Sequence, residues 1–295
     1  ASWCGVFGHV PSHGLVSKRG HLPRPLTSLL EPPLSTTGPL ARSARDLSLL
    51  LRAMVGAAHP DDAVWTPVLP VARRTVLAGT RVGLWFDDEV APVDDEVRAV
   101  VSQLAERLGE AGCVVTPFRA PHDTRAMASL FDRLQDAELS YGLAPEEWDA
   151  AAAAERDLGP EAKLLSQSRR QAWHDAEAQA ALSAAWDAQF DTVDVVLSPT
   201  VPFAAPMHST VPPADRRTEL RGREHATRDL VSGWSRLTNV LRAPATIVPA
   251  GLGAASGLPI GAQLIGPRYA DLTTLGIAAL LDAAALLPRL TPPAA

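Results

Sequence analysis

Cysteine and long apolar runs are scarce in this 295-residue sequence, and each scarcity argues against a class of protein. The two cysteines, Cys4 and Cys113, cannot build a disulfide framework, so a reducing compartment and a cytoplasmic location are expected. No apolar run approaches the roughly 20 residues of a membrane span, and no membrane partner is expected. The net charge of -6 comes with both signs interspersed, which argues against a nucleic-acid partner.

The most informative stretch covers residues 244–267, where two short apolar runs flank a segment rich in glycine, alanine and serine. The runs at residues 245–248 and 260–265 are bounded by Gly and Pro, which is typical of strands buried on both faces. The glycines between them permit positive φ angles, so the sequence predicts a hairpin or a near-hairpin. Long apolar segments on either side would supply helices for both faces of a sheet.

Other patterns predict the elements around this strand pair. Together they indicate an α/β fold, with a helical, alanine-rich lobe at about residues 123–190. The first predicted helix is capped by Ser43, packs through Leu47, Leu50, Leu51 and Met54, and is ended by Gly56. A β-α-β unit follows over residues 81–117, with Cys113 in a buried strand. The later elements are a strand at 194–200, a helix at 224–241 and a last helix capped by Asp271.

Cys4 is a candidate nucleophile if His9 or His13 acts as its base, since a catalytic thiol must become a thiolate. The alternative, which we favour, is a small buried hydrophobic residue beside a glycine turn. Pro11 separates the two histidines and no third ligand cluster is visible, so the sequence predicts no metal site.

A second candidate site lies at Ser198, Pro199 and Thr200, where the strand ends and α/β sheets commonly meet their ligands. Ser198 lacks the G-x-S-x-G elbow, so we do not expect it to be a nucleophile. A strand rather than a helix follows Gly251-x-Gly253, which is therefore no dinucleotide fingerprint, and we expect no cofactor.

Four segments resemble the amidase signature enzymes in the order that this family has them, from Ala1 to about Leu281. They are CGVFGHVPSHGLVS, STTGPLARSARDLSLLL, DVVLSPT and WSRLTNVLRAPATIVPAGLGAASGLPIGAQLIGP. The resemblance implies the amidase signature fold, a mixed β-sheet covered by helices on both faces. It also implies cleavage of a small-molecule carboxylic amide through a serine acyl-enzyme, with Cys4, Gly5, Ser198, Pro199 and Thr200 lining the substrate pocket.

The same resemblance places the nucleophilic serine, a bridging serine and a lysine base before Ala1, so we expect the N-terminal third of the fold and every catalytic residue to be missing. The only lysines are Lys18 and Lys163, and neither has Ser-x-x-Lys spacing. Ser35 stands where the family commonly has an aspartate, which leaves that position without the family's role.

Three functions remain open. The favoured one is the C-terminal portion of an amidase, inactive alone, with a homodimer or the missing N-terminal segment as protein partner. The others are a non-catalytic remnant or scaffold of the fold, and the amidase-like subunit of a tRNA-dependent amidotransferase. We also expect Val6 and its neighbouring strand edges to be uncovered, which predicts poor solubility.

Overall fold

The computed structural model describes residues 1–21, 31–140, 143–158 and 168–289, and Lys163 lies outside these ranges. Within them the chain forms a seven-stranded sheet, a two-stranded hairpin and seven α-helices. The strands are β1 (Phe7–Val10), β2 (Leu40–Ala41), β3 (Arg81–Leu84), β4 (Val114–Pro117), β5 (Val195–Pro199), β6 (Arg217–Leu220), β7 (Arg223–Ala226), β8 (Ala245–Leu252) and β9 (Pro259–Ile265). The helices are α1 (Ala44–Met54), α2 (Asp95–Glu110), α3 (Thr124–Ser140), α4 (Pro145–Leu158), α5 (Arg169–Ala188), α6 (Thr227–Asn239) and α7 (Asp271–Ala283).

The large sheet is mixed, with the strand order β2-β1-β8-β9-β5-β3-β4. Strands β3, β4 and β5 run parallel, whereas β9 is antiparallel to both β5 and β8. Strand β1 is paired on both sides, by β2 and by β8, so its edges are covered, contrary to expectation. Val6, just before it, is partly exposed.

The predicted central strand pair is confirmed as an antiparallel hairpin of β8 and β9. Ala245 pairs with Ile265 and Val248 with Ala262, and a bulge between Pro249 and Gly251 lets the pairing continue to the turn. Nearly all of β9 is buried, as expected for a strand in the middle of a covered sheet.

Helices cover both faces of the sheet, which confirms the predicted α/β class. Helix α2 packs against β5, β8 and β9, while α7 packs against β8 and β9 together with α1. No helix in the described ranges has the length and apolar character needed to cross a membrane.

The β-α-β unit formed by β3, α2 and β4 is also confirmed, and it is parallel. The Asp94 side chain caps α2 by accepting a hydrogen bond of 2.7 Å from the Val97 backbone N–H. The prediction of a buried strand at Cys113 is wrong, because β4 lies at the sheet edge and Val114 is 53% exposed. Cys113 itself is buried just before the strand.

In α1 the predicted cap is confirmed, because Ser43 accepts from the Asp46 backbone N–H at 3.1 Å. The helix ends at Met54 instead of at Gly56. Leu47 and Leu51 are fully buried, but Leu50 points to solvent, so the apolar stripe is narrower than the sequence pattern indicated.

Two further boundaries differ from the sequence prediction. The helix predicted over residues 224–241 begins at Thr227, because Arg223–Ala226 pairs as β7 with β6. Asp271 is the first residue of α7 rather than its cap, and its carboxylate is buried in the core. A local hairpin decided the first position, and contacts with Ser12 and His9, far away in the chain, hold the Asp271 carboxylate.

A cluster of tryptophan side chains joins the end of β3 to helices α5 and α6. Trp85 follows β3, and its ring centroid lies 5.2 Å from that of Trp234 in α6 and 6.0 Å from that of Trp186 in α5. All three are almost completely buried. Offset and edge-on ring contacts of this kind add to the stabilisation from buried area.

Candidate functional site

The carboxyl end of β5 places the three predicted residues Ser198, Pro199 and Thr200 at one edge of the sheet. Ser198 and Pro199 are buried, and Thr200 is half-buried. The Ser198 hydroxyl donates to the Pro199 carbonyl at 3.2 Å, so this serine is held by its own backbone.

The first residues of the chain form a 3-10 turn, Ser2–Cys4, that lies against β9. Ser2 Oγ accepts a hydrogen bond of 2.9 Å from the Gly261 backbone N–H. A Cβ atom added at Gly261 would come within 2.9 Å of the Ser2 Cα atom, which is closer than real Cβ contacts. Only glycine therefore permits this approach.

The backbone of Gly261 also connects to the end of β5. Thr200 Oγ1 donates to the Gly261 carbonyl at 3.1 Å, and Gln263 Nε2 donates to the Pro199 carbonyl at 2.9 Å. Ser2, which lies two residues before the predicted Cys4, and the predicted Pro199 and Thr200 thus contact the same part of β9. Sequence reasoning missed Ser2, Gly261 and Gln263, although a glycine inside an apolar strand signals close backbone approach.

A second contact ties the N-terminal turn to the loop after β5. Trp3 Nε1 donates to the Phe203 carbonyl at 2.9 Å, and the two rings stack with centroids 6.3 Å apart. Gly5 follows the turn with a φ of 61°, in the left-handed region where glycine is favoured. These contacts join the N-terminal turn to the loop that follows Thr200.

The interpretation of Cys4 as a buried hydrophobic residue is wrong, because Cys4 is exposed. Its two candidate bases are engaged elsewhere. His9 contacts Thr246 through Nδ1 (2.9 Å) and Asp271 through Nε2 (3.1 Å), and His13 Nε2 contacts the Pro32 carbonyl at 2.7 Å. Neither histidine therefore forms a thiol–imidazole pair with Cys4.

The environment of His13 favours the neutral imidazole. Burial lowers the pKa of His13 most, the Pro32 carbonyl partly opposes this, and the positive charge of Arg242 lowers the pKa further. Among the described residues, no group of three or more histidine, cysteine, aspartate or glutamate side chains is placed to hold a metal ion.

Lys18 is the one lysine that the described ranges contain, and it does not form a catalytic pair there. The side chain is partly exposed, and the residue's backbone N–H donates to Glu31 Oε2 at 3.0 Å. Within the described part of the chain, its amine has no hydrogen bond to a serine. A lysine base working near neutral pH needs burial or a neighbouring cation to lower its pKa.

At Ser35, a carboxylate reaches the turn from elsewhere in the chain. The Glu138 carboxylate on α3 accepts from the backbone N–H groups of Leu34 (3.2 Å) and Ser35 (3.1 Å), and also from the Ser35 hydroxyl. Gly38 follows closely and lies against the His9 carbonyl, leaving no room for a Cβ atom.

Comparison with known proteins identifies the family of this chain. The model of the Amidase family matches residues 1–275. Among curated relatives, the A subunit of the glutamyl-tRNA(Gln) amidotransferase of Rhodospirillum rubrum is 27% identical over 313 residues, covering 96% of this chain and 59% of the relative. The protein of the same name from Roseiflexus sp. is 29% identical, with coverages of 94% and 58%. The chain therefore spans about three fifths of the length of these relatives.

Solved structures share the fold. A bacterial aryl acylamidase of the amidase signature family superposes with a TM-score of 0.72 at 24% identity, covering 97% of this chain and 59% of that one. The A subunit of the glutamyl-tRNA(Gln) amidotransferase from Thermotoga maritima gives a TM-score of 0.71 at 21% identity, with coverages of 95% and 58%. Because the family model extends from the N-terminal turn into α7, this chain belongs to the amidase family.

Proposed function

We propose that this chain forms the substrate-side wall of a site that cleaves the C–N bond of a carboxylic amide. The observation that carries the proposal is the convergence of the N-terminal turn and the end of β5 on the backbone of one residue, Gly261. Membership of the amidase family supports amide chemistry at this edge of the sheet.

In serine acyl-transfer chemistry, a serine attacks the amide carbonyl, an amine leaves, and water or another acceptor releases the acyl group. Backbone N–H groups held close to the reacting carbonyl stabilise the negative charge that develops on its oxygen. The side chains of Trp3, Phe203 and Thr200 would shape the pocket, exclude water and orient the substrate. Their rigidity follows from the hydrogen bonds that fix each segment.

We propose further that the nucleophile and the base come from polypeptide outside the 295 residues. Ser198 is bonded to its own backbone, and Lys18 has no serine partner among the described residues. Lys163 lies in a part of the chain that the structure does not describe. The names of the curated relatives favour a role within an amidotransferase over that of a free-standing amidase.

A net charge of -6 suits a protein that does not itself grip tRNA, since such binding depends on basic side chains contacting phosphates. A second candidate is a non-catalytic scaffold that retains the fold for assembly. The exposed Cys4 and the serine fixed at position 198 are compatible with that role as well, so the two functions must be separated by activity.

The test measures ammonia release from primary carboxylic amides by two proteins. One is the 295-residue chain, and the other is a chimera that adds the part of the Rhodospirillum rubrum relative outside the match. We expect no turnover by the chain and turnover by the chimera. Thr200→Val should then lower the kcat/KM of the chimera about tenfold by loosening the wall, whereas the exposed Thr192→Val should not.

Two results would contradict the proposal. Hydrolysis by the chain alone, abolished by one serine or lysine substitution, would place the catalytic residues within these 295 residues. A chimera that folds cooperatively but has no activity towards any amide would favour the scaffold.

A further inference from the structure

A cavity of about 600 Å³ lies between the loop that follows β3 and the hairpin of β6 and β7. Its two walls carry opposite charges. Asp87, Asp88 and Glu89 line the side formed by the β3 loop, and Arg221, Arg223 and His225 line the hairpin side. Cavities of this size commonly hold small organic ligands.

Two of the three acidic side chains on the β3 side are paired with arginines of the protein. Asp87 forms an ion pair with Arg98, and Glu89 pairs with Arg125 at 2.6 Å. Asp88 Oδ1 accepts from the Val90 backbone N–H at 2.9 Å. Asp87 and Glu89 therefore need no cation from a ligand, and Asp88 is the one acidic side chain of this wall with no ion pair among the described residues.

The hairpin wall differs, because its arginines lack acidic partners. In the described part of the chain, neither Arg221 nor Arg223 forms an ion pair or a side-chain hydrogen bond. Both residues are exposed and line the cavity. Among the described residues, two unpaired arginines therefore face one unpaired carboxylate, Asp88, so the cavity has a net positive excess that lies on the hairpin side.

The backbone at Arg221 is a second and independent observation. Arg221 has a φ of 53° and Gly222 a φ of 71°, so both central residues of this two-residue hairpin turn are left-handed. Such turns favour Asn-Gly or Asp-Gly, and a long side chain at the first position is disfavoured. A residue that breaks the local preference is often retained for function.

We propose that this cavity is a binding site for a small organic carboxylate, held by the guanidinium groups of Arg221 and Arg223. Arginine presents paired N–H donors that match the two oxygens of a carboxylate. Phosphate offers similar oxygens, but a dianion would be repelled more strongly than a monocarboxylate by the facing aspartates. The proposal goes beyond the proposed function and does not depend on amide cleavage.

The charges of the two walls interact across the cavity. The hydrogen bond from Arg98 lowers the pKa of Asp87 most, and the positive charge of Arg221 also lowers it. A carboxylate bound at the hairpin would therefore lie in a field set by both walls. Its affinity should fall as salt screens that field.

The cavity lies at the same sheet edge as Thr200. Leu84 of β3 pairs with Leu197 of β5, so the cavity loop and Thr200 follow neighbouring parallel strands. The Asp94 backbone N–H donates to the Pro202 carbonyl at 2.8 Å and fastens the two loops together. A carboxylate bound in the cavity would thus lie beside the candidate site rather than on a remote surface.

The test is calorimetric titration of the 295-residue chain at low salt with benzoate, and separately with inorganic phosphate. We expect benzoate to bind more tightly than phosphate, and Arg221→Asn and Arg223→Gln each to weaken benzoate at least tenfold. Arg217→Gln is the matched control, because this arginine lies at the base of the same hairpin, outside the cavity, and donates only to backbone carbonyls. It should change affinity less than twofold.

Arg221→Asn also separates binding from folding. Asparagine suits a left-handed turn position, so the melting temperature of this variant should stay the same or rise while benzoate affinity falls. Three results would each overturn the proposal. They are no binding of benzoate, binding of benzoate by the Arg221→Asn, Arg223→Gln double variant as tight as by the unmodified chain, and tighter binding of phosphate than of benzoate.

Discussion

Ser2 Oγ accepts a 2.9 Å hydrogen bond from the Gly261 backbone N–H, although 259 positions separate the two residues. This contact places the N-terminal turn on β9, directly beside the carbonyl that receives the Thr200 hydroxyl. The geometry of the candidate site therefore depends on residue 261 being glycine, which has no side chain to keep Ser2 away.

Gly261→Ala should destabilise the fold by about 1–3 kcal/mol, because the added methyl group overlaps Ser2 and the turn must move. Gly109→Ala in α2 is the control, since a Cβ atom there meets nothing within 4 Å. That change should stabilise the protein by about 0.5–1 kcal/mol. Urea unfolding measures both, and equal effects of the two substitutions would show that close packing at Gly261 is unimportant.

Asp271→Asn should cost about 3 kcal/mol of unfolding free energy, because a buried carboxylate loses its charge-assisted hydrogen bonds. The carboxylate accepts from the Ser12 backbone N–H (2.8 Å), the Ser12 hydroxyl (2.7 Å) and His9 (3.1 Å). Asp95→Asn is matched, since Asp95 also begins a helix but is exposed. A loss at Asp271 no larger than that at Asp95 would contradict the structural role of this network.

Glu96 should make the turn between β8 and β9 sensitive to acid. Its carboxylate accepts from the Ser256 hydroxyl and from the backbone N–H groups of Ala255 and Ser256, at 2.6 to 2.8 Å. The Ser256 hydroxyl bond lowers the pKa of Glu96 most; partial burial opposes this, and the two backbone N–H groups lower the pKa further. The stabilisation is thus complete above the ordinary pKa of glutamate and is lost as the pH falls through the depressed value.

Hydrogen exchange of the Ala255 and Ser256 amides, compared with Glu96→Gln, tests this dependence. The variant should lose protection at neutral pH, and the gap to the unmodified chain should close as the pH falls below about 4. Glu106→Gln, at an exposed position on the same helix, should leave both amides unchanged. A gap that persists at low pH would show that the carboxylate charge does not hold the turn.

The two thiols should differ in reactivity by at least a hundredfold. Cys4 is exposed, whereas Cys113 is buried, and its thiol donates to the Leu77 carbonyl at 3.2 Å. Burial raises the pKa of the Cys113 thiol, so less thiolate is present. A disulfide reagent should titrate one fast thiol in the native chain, and Cys4→Ser should remove that phase. Two fast thiols would contradict the burial of Cys113.

Local pattern predicted most of the elements because their causes are local. Asp94 and Ser43 cap their helices with side-chain oxygens that reach N–H groups three residues on, which the spacing alone indicates. The apolar runs of β8 and β9, bounded by Gly and Pro, likewise predicted a buried strand pair. Helix α6 began later than predicted, because pairing of β6 with β7 withdrew Glu224 from the helix.

The sequence by itself determined the fold class and the family resemblance, because periodicity, caps and linked motifs are properties of neighbouring residues. Only the tertiary structure decided that Cys4 is exposed, that His9 is engaged by Asp271, and that Ser2 and Thr200 meet at Gly261. These outcomes depend on contacts between residues far apart in the chain. A short window of sequence holds no information about which distant group fills the space beside it.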